Sequence, residues 1–159
     1  MLRSGDVAID FSLMSTEGAF TLSERVRDGP ILLYFYVVNY GRTCTDYLAT
    51  LNERYDDFKR RGIRLYQVNH ETLENHRDWM RHTASRYEIL SDTDKKVSRE
   101  YDCIVKKAKS DKIIGNPNRA FFLIGPDMRV LYSWQADMPM DTVPMDELFA
   151  EIDKVLPHC

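Results

Sequence analysis

The sequence predicts an α/β fold: a central mixed β-sheet flanked by helices and entered through an N-terminal β-hairpin. Short apolar runs alternate with amphipathic stretches through the middle of the chain, the pattern of parallel strands joined by helical crossovers. The run at residues 31–38 (Ile-Leu-Leu-Tyr-Phe-Tyr-Val-Val) is continuously apolar, as for a strand covered on both faces. Near the C-terminus, two strand-like segments flank Gly125-Pro126-Asp127, so the sheet should close with an antiparallel pair.

Each element has its own justification. Residues 6–23 alternate fairly on two arms around Thr16-Glu17-Gly18, which reads as a hairpin. Residues 22–26 form a helical turn before the Gly29-Pro30 break. The strand at 31–38 leads to the most strongly patterned helix. There Tyr47, Leu48, Leu51, Tyr55 and Phe58 recur at three and four residues, while Asp46, Glu53, Asp56, Asp57, Lys59 and Arg60 fill the other side. Thr43 or Thr45 is the expected N-cap, and Gly62 the stop. A strand at 63–68, a polar helix at 73–86 with a thin stripe (Leu73, Trp79, Met80), a short strand at 87–90 and a helix at 93–101 follow. Residues 104–117 are basic and irregular, the composition of a surface loop. A buried strand at 120–124, its returning partner at 129–134 and a helix at 145–156 complete the chain.

The 159 residues fit one domain, 1–159, with a core large enough to fold unaided. Hydrophobic content of 43% and charged content of 30% are ordinary for a soluble globular protein. The net charge of −3, spread along the chain, gives no reason to expect nucleic acid or an anionic membrane as partner. No apolar run approaches the ~20 residues of a membrane span. Asp6 and Asp10 interrupt any signal-peptide core, so a cytoplasmic location follows by elimination. Cys44, Cys103 and Cys159 are too few and too scattered for a disulfide framework. His70, His76, His82 and His158 lack metal-ligand spacing and are expected at the surface. With no Gly-rich phosphate loop and no Cys-x-x-Cys, neither a metal nor another cofactor is expected.

Chemistry concentrates at Cys44, where the buried strand hands over to the helix. A thiol at a helix N-terminus faces unpaired backbone N–H groups and the positive end of the dipole, and both favour the nucleophilic thiolate. Arg42 adds positive charge. Cys44 precedes Tyr47 and Leu48 by three and four residues, so it belongs to the inward helix face. Position alone supports a reactive thiol and a small core residue equally.

Five segments then carry a resemblance: residues 5–13, 33–36, Cys44-Thr45, 90–94 and 118–124, in this order. With them the chain resembles the peroxiredoxins (alkyl hydroperoxide reductase and thiol-specific antioxidant proteins) on a thioredoxin-like fold, most closely the bacterioferritin comigratory protein subgroup. The resemblance implies a thiol-dependent peroxidase that reduces hydrogen peroxide or small organic hydroperoxides through a sulfenic acid on Cys44. It makes Arg119 the active-site arginine, a residue that sequence alone would leave as a surface charge at a strand end. It implies a thiol electron donor, either a thioredoxin-like protein or a small thiol, and it admits a homodimer.

The active-site loop, Val37 with Tyr40, Gly41, Arg42 and Thr43, departs from the family pattern. Val37 stands where the family has proline, and Gly41 where it has threonine or serine. The Thr43 hydroxyl lies at a different position in the turn. Loss of one preorganised donor costs ~10²–10³ in rate. The resemblance therefore implies reduced activity, with a non-enzymatic or weakly active redox sensor or interaction module as the alternative. The subgroup often has a resolving cysteine five residues after the first, where this chain has Ala49. Cys103 and Cys159 are the remaining candidate resolving thiols, and one-cysteine chemistry with an external thiol is placed ahead of a Cys44–Cys103 bridge.

Overall fold

The computed structural model describes residues 1–156. Its strands are β1 (Ser12–Ser15), β2 (Gly18–Thr21), β3 (Ile31–Phe35), β4 (Arg64–Asn69), β5 (Ile89–Ser91), β6 (Ala120–Ile124) and β7 (Val130–Gln135). Its helices are α1 (Leu22–Arg25), α2 (Arg42–Glu53), α3 (Tyr55–Arg60), α4 (Leu73–Thr83), α5 (Lys96–Glu100) and α6 (Met145–Val155), with single 3₁₀ turns at Val26–Asp28 and Asp111–Ile113. The strands form one sheet in the order β2-β1-β5-β4-β3-β6-β7. β3, β4 and β5 run parallel; β1 with β2, β1 with β5, β3 with β6 and β6 with β7 pair antiparallel. The expected mixed sheet and both hairpins are present.

The sheet separates two cores, because alternate side chains of a strand point to opposite faces. From the central strand, Leu32 and Tyr34 enter one core, and Ile31, Leu33 and Phe35 the other. β6 divides likewise, with Phe121 and Leu123 on the first side and Ala120, Phe122 and Ile124 on the second. Helices α2, α3, α4 and α6 cover the first core through Leu48, Leu51, Phe58, Trp79, Leu148 and Ile152. The N-terminal segment, α1 and α5 cover the second through Phe11, Phe20, Leu22, Val97 and Tyr101.

Three expectations are corrected. The long helix is broken at Arg54 (φ −100°, ψ 12°), whose guanidinium bonds Asp57 and sits 4.6 Å from the Phe149 ring. The break separates α2 from α3, and Phe58 of α3 packs on Phe149 at 4.7 Å. The helix expected at 93–101 shrinks to α5, because the buried Asp92 carboxylate accepts the Val97 and Ser98 N–H groups and makes residues 92–95 an entry turn. Residues 104–117 are not merely a solvated loop. Val105 and Asn116 are buried, Ile104 bridges Pro117, and Asn116 donates to the Val37 carbonyl at 3.2 Å. The Asn116 bond ties the segment to the loop leaving β3.

Candidate active site

The loop between β3 and α2 carries Cys44 into position. Tyr36, Val37 and Asn39 are buried, and Tyr40 adopts φ 66°, the left-handed turn that reverses the chain. Gly41 is the N-cap of α2, with extended backbone and no side-chain cap. This corrects the expected threonine cap: the helix begins two residues before Cys44, and the Thr45 hydroxyl instead donates back to the Gly41 carbonyl at 2.7 Å. Cys44 therefore lies in the first turn, where backbone N–H groups have no intrahelical acceptor. It is 5% exposed, on the inward face anticipated from its spacing to Tyr47 and Leu48.

Arg119 enters from the first residue before β6. Its backbone carbonyl accepts from Ala136 N–H at 2.9 Å, which fixes the residue beside the end of β7. The side chain is buried, at 1% exposure. Its Nη2 donates to Cys44 Sγ at 3.5 Å and to the Pro139 carbonyl at 3.2 Å, and Nη1 donates to the Tyr34 hydroxyl. The Tyr47 ring centroid lies 5.7 Å from the guanidinium carbon. Burial works against the charge, but the Tyr34 oxygen and the Cys44 sulfur outweigh it and hold Arg119 protonated beyond its ordinary range. Burial likewise pushes the Tyr34 phenol far above its ordinary value, against the pull of Arg119, so Tyr34 stays neutral and accepts. Among the described residues, no carboxylate forms an ion pair with Arg119, and its Nε has no partner within the protein. The Cys44 sulfur, the Tyr34 hydroxyl and the Pro139 carbonyl are thus the guanidinium's hydrogen-bond acceptors among the described residues.

Tyr34 stacks on Phe121 at 4.9 Å and on Tyr36 at 5.9 Å, so the Arg119 acceptor is held by an aromatic platform. Tyr36 donates to Asn39 Oδ1 at 2.6 Å, and Asn39 Nδ2 reaches Asn75 Oδ1 at 2.7 Å and His76 Nδ1 at 3.0 Å. The other His76 nitrogen faces the Asn69 carbonyl at 3.4 Å, while Asn69 Nδ2 donates to the Tyr36 carbonyl at 2.7 Å. The loop is thereby tied to β4 and α4. His76 was expected at the surface but is fully buried. It falls three residues after Leu73 and three before Trp79, a spacing that places it on the inward stripe of α4. Tyr40, 45% exposed, meets Trp79 edge-on at 4.9 Å and bonds Asp78, which anchors the same loop from outside.

Burial lowers His76 from 6.5 to about 4, so it is neutral and accepts from Asn39 at neutral pH. Its contribution to stability, about 3 kcal/mol, is complete above pH 6.5 and is lost as pH falls toward 4. Denaturation in urea at pH 7 and pH 4.5 should show this loss. A His76→Gln variant should be less stable at pH 7 and show a smaller change between the two pH values; an unchanged pH dependence would remove His76 as the cause.

Cys44 opens on a cleft of about 250 Å³. Val37, Val38 and Gly41 form one wall, Ala108 and Ile113 from the 104–117 segment a second, and Met138, Pro139 and Met140 a third, with Arg119 at its base. Arg42, Thr43, Lys109 and Ser110 also line it. A Cβ at Gly41 would stand 4.0 Å from Cys44 Sγ and 3.0 Å from Val38 Cγ1. A hydroxyl residue there would sit beside the sulfur and require the Val38 side chain to give way by a few tenths of an ångström.

Cys103 is not brought to this site. It lies in the core on the opposite face of the sheet, fully buried, with Sγ 3.5 Å from the Ser98 carbonyl. Burial, then Asp92, raises its thiol well above the ordinary value. In the folded protein an alkylating reagent should leave Cys103 unmodified, and unfolding in urea should expose it; rapid native labelling would contradict the burial. Cys159 lies outside the described residues. Sequence reasoning missed Tyr34, Asn39, His76 and the Pro139 carbonyl. The helical stripe signalled His76, whereas the other three become functional only through partners distant in sequence. Among the described residues, no group of three or more His, Cys, Asp or Glu is placed to hold a metal, and no helix is long and apolar enough to cross a membrane.

Comparison with known proteins bears on this geometry. The profile of the AhpC/TSA family matches residues 4–133. The chain is 26% identical to 1-Cys peroxiredoxin B of Oryza sativa subsp. japonica over 140 residues, covering 84% of this chain and 64% of that protein. The peroxiredoxin 6 of Arenicola marina superposes with a TM-score of 0.88 at 19% identity, over 96% of this chain and 73% of that one. Peroxidoxin BcpB of Mycobacterium tuberculosis gives 0.77 at 22% identity, over 98% and 95%. At these identities the superpositions establish the thioredoxin-like fold.

Proposed function

The chain belongs to the AhpC/TSA family of peroxiredoxins, and on that premise we propose that it is a thiol-dependent peroxidase acting through Cys44. The observation that carries the reading is the buried Arg119 guanidinium donating to Cys44 Sγ at the foot of an open cleft. A guanidinium is charged at any physiological pH, so it stabilises the thiolate and offers further N–H donors to a peroxide oxygen. Cys44 sulfur attacks the terminal oxygen of the hydroperoxide. The S–O bond forms as the O–O bond breaks, and the departing oxygen leaves with the bonding pair and takes up a proton as water or alcohol. Sulfur is oxidised by two electrons to the sulfenic acid. Arg119 and the first-turn N–H groups of α2 face the charge that moves from sulfur to the leaving oxygen, which is where preorganised donors lower a barrier.

Regeneration uses an external thiol. One thiol condenses with the sulfenic acid, releasing water and leaving a mixed disulfide, and a second thiol reduces that disulfide to restore Cys44. Cys103, behind the sheet, takes no part. A thioredoxin-like protein or a small thiol serves as donor. The name of the rice relative, a 1-Cys peroxiredoxin, agrees with this, although the chain spans only 64% of that protein's length. The test is steady-state consumption of hydrogen peroxide with dithiothreitol as donor. The wild type and a Cys103→Ala variant should turn over and a Cys44→Ser variant should not; turnover that survives in Cys44→Ser would refute the assignment.

A further inference from the structure

The cleft above Cys44 combines an apolar lining with positive charge alone. Val37, Val38, Ile113, Met138 and Met140 supply apolar surface, and Arg42 and Lys109 are its charged lining residues apart from the buried Arg119. The acidic residues nearest in sequence, Asp46, Asp111, Asp137 and Asp141, do not line it. Two are engaged elsewhere: Asp137 pairs with Lys107 at 3.7 Å, and Asp141 accepts the Met138 N–H at 3.0 Å. Lys106 of the same basic run pairs with Asp102 at 3.4 Å. Among the described residues, neither Lys109 nor Arg42 has an acidic partner. Of the lysines in this stretch, Lys106 and Lys107 are paired, Lys109 and Lys112 have no acidic partner among the described residues, and Lys109 is the one that lines the cleft.

Hydrogen peroxide needs neither apolar walls nor a second cation. We propose that the cleft selects hydroperoxides that carry a carboxylate, with the peroxide end at Cys44, the hydrocarbon against the valine and methionine walls and the carboxylate at Arg42 and Lys109. The volume of about 250 Å³ lies just below the usual range of small-molecule pockets, roughly 300–1,000 Å³, which suits a short or medium alkyl chain. The two unpaired cations act partly by steering, an effect that concentrates an oppositely charged substrate and is weakened by salt. This proposal rests on the peroxidase reading and adds the class of peroxide preferred.

The experiment compares two synthetic probes of equal chain length, an ω-hydroperoxy alkanoate and its methyl ester. The second-order rate of Cys44 oxidation is measured for each in the reduced protein. In about 0.01 M salt the carboxylate should react about tenfold faster than the ester. The ratio should approach one in about 1 M salt, where the screening length falls from roughly 30 Å to roughly 3 Å. The ratio should also approach one in an R42Q/K109Q double variant, whose substitutions lie at exposed positions. Equal rates for the two probes at low salt overturn the proposal and leave the peroxidase reading standing. A preference that persists in the double variant overturns the assignment to Arg42 and Lys109. Failure of both probes, and of hydrogen peroxide, to oxidise Cys44 overturns the peroxidase reading itself.

Discussion

Replacing Arg119 by leucine should slow the oxidation of Cys44 by hydrogen peroxide about 10²–10³-fold, the usual effect of removing a preorganised donor from the reacting centre. The substitution removes three donor contacts at once: to Cys44 Sγ, to the Pro139 carbonyl and to the Tyr34 hydroxyl. It also removes the charge that opposes the thiolate, and among the described residues no other ion-pairing group is buried beside the sulfur. Stability should change less than rate. Leaving Tyr34 and Pro139 unpaired costs about 1–3 kcal/mol each, but a deeply desolvated guanidinium is removed at the same time. Arg119→Lys should recover part of the rate, because it keeps the charge, but not all, because an ammonium is a compact point charge that lacks the guanidinium's planar fork of donors. Stopped-flow kinetics with urea titrations of the same variants separate the two effects. A leucine variant that reacts within a few-fold of the wild type would show that Arg119 holds structure rather than chemistry.

Phe121 and Phe122 offer a contrast built into one strand. Both are fully buried at the centre of β6, on opposite faces of the sheet. Either change to alanine should cost about 3–5 kcal/mol, a large share of the ~5–15 kcal/mol that holds a typical domain together. Their effects on the site should differ. Phe121 stacks on Tyr34 at 4.9 Å and lies 6.3 Å from Tyr47, so its loss frees the two rings that brace Arg119. Phe122 packs on Tyr101 at 5.2 Å and Phe35 at 5.6 Å, behind the sheet. At a temperature where both variants remain folded, Phe121→Ala should slow Cys44 oxidation several-fold and Phe122→Ala should not. Equal kinetic effects would mean that general loosening, not the Tyr34 platform, governs the site.

The parts of this molecule that were legible in its sequence are those encoded by local pattern. Continuous apolar runs marked β3 and β6, because strands covered on both faces have no polar side. Spacing to Tyr47 and Leu48 is enough to place Cys44 on the inward face of its helix, where it lies. The pairing of Cys44 with Arg119 was accessible only through family resemblance, since 75 residues separate them and a lone arginine before a strand looks like surface charge. The start of α2 misled for a physical reason: Gly41 caps by extended backbone conformation, not by a side chain that sequence would reveal. His76 and Asn39 look polar and exposed in isolation, and burial becomes affordable only when each satisfies the other across 37 residues. Residues 104–117 look like a loop because their backbone bonds close on one another across the segment, as Val105 does with Asn116 and Gly115, and the tie to Val37 runs through the Asn116 side chain.

The decisive measurement is a timed reaction of the fully reduced protein with one equivalent of hydrogen peroxide, read by intact-protein mass spectrometry and peptide mapping, with Cys44→Ser in parallel. The account predicts rapid gain of one oxygen on Cys44, no change at Cys103, and return to the starting mass on adding an external thiol. Oxidation of Cys44 no faster than that of Cys103, or a Cys44–Cys103 disulfide formed as two hydrogens are lost, would contradict it.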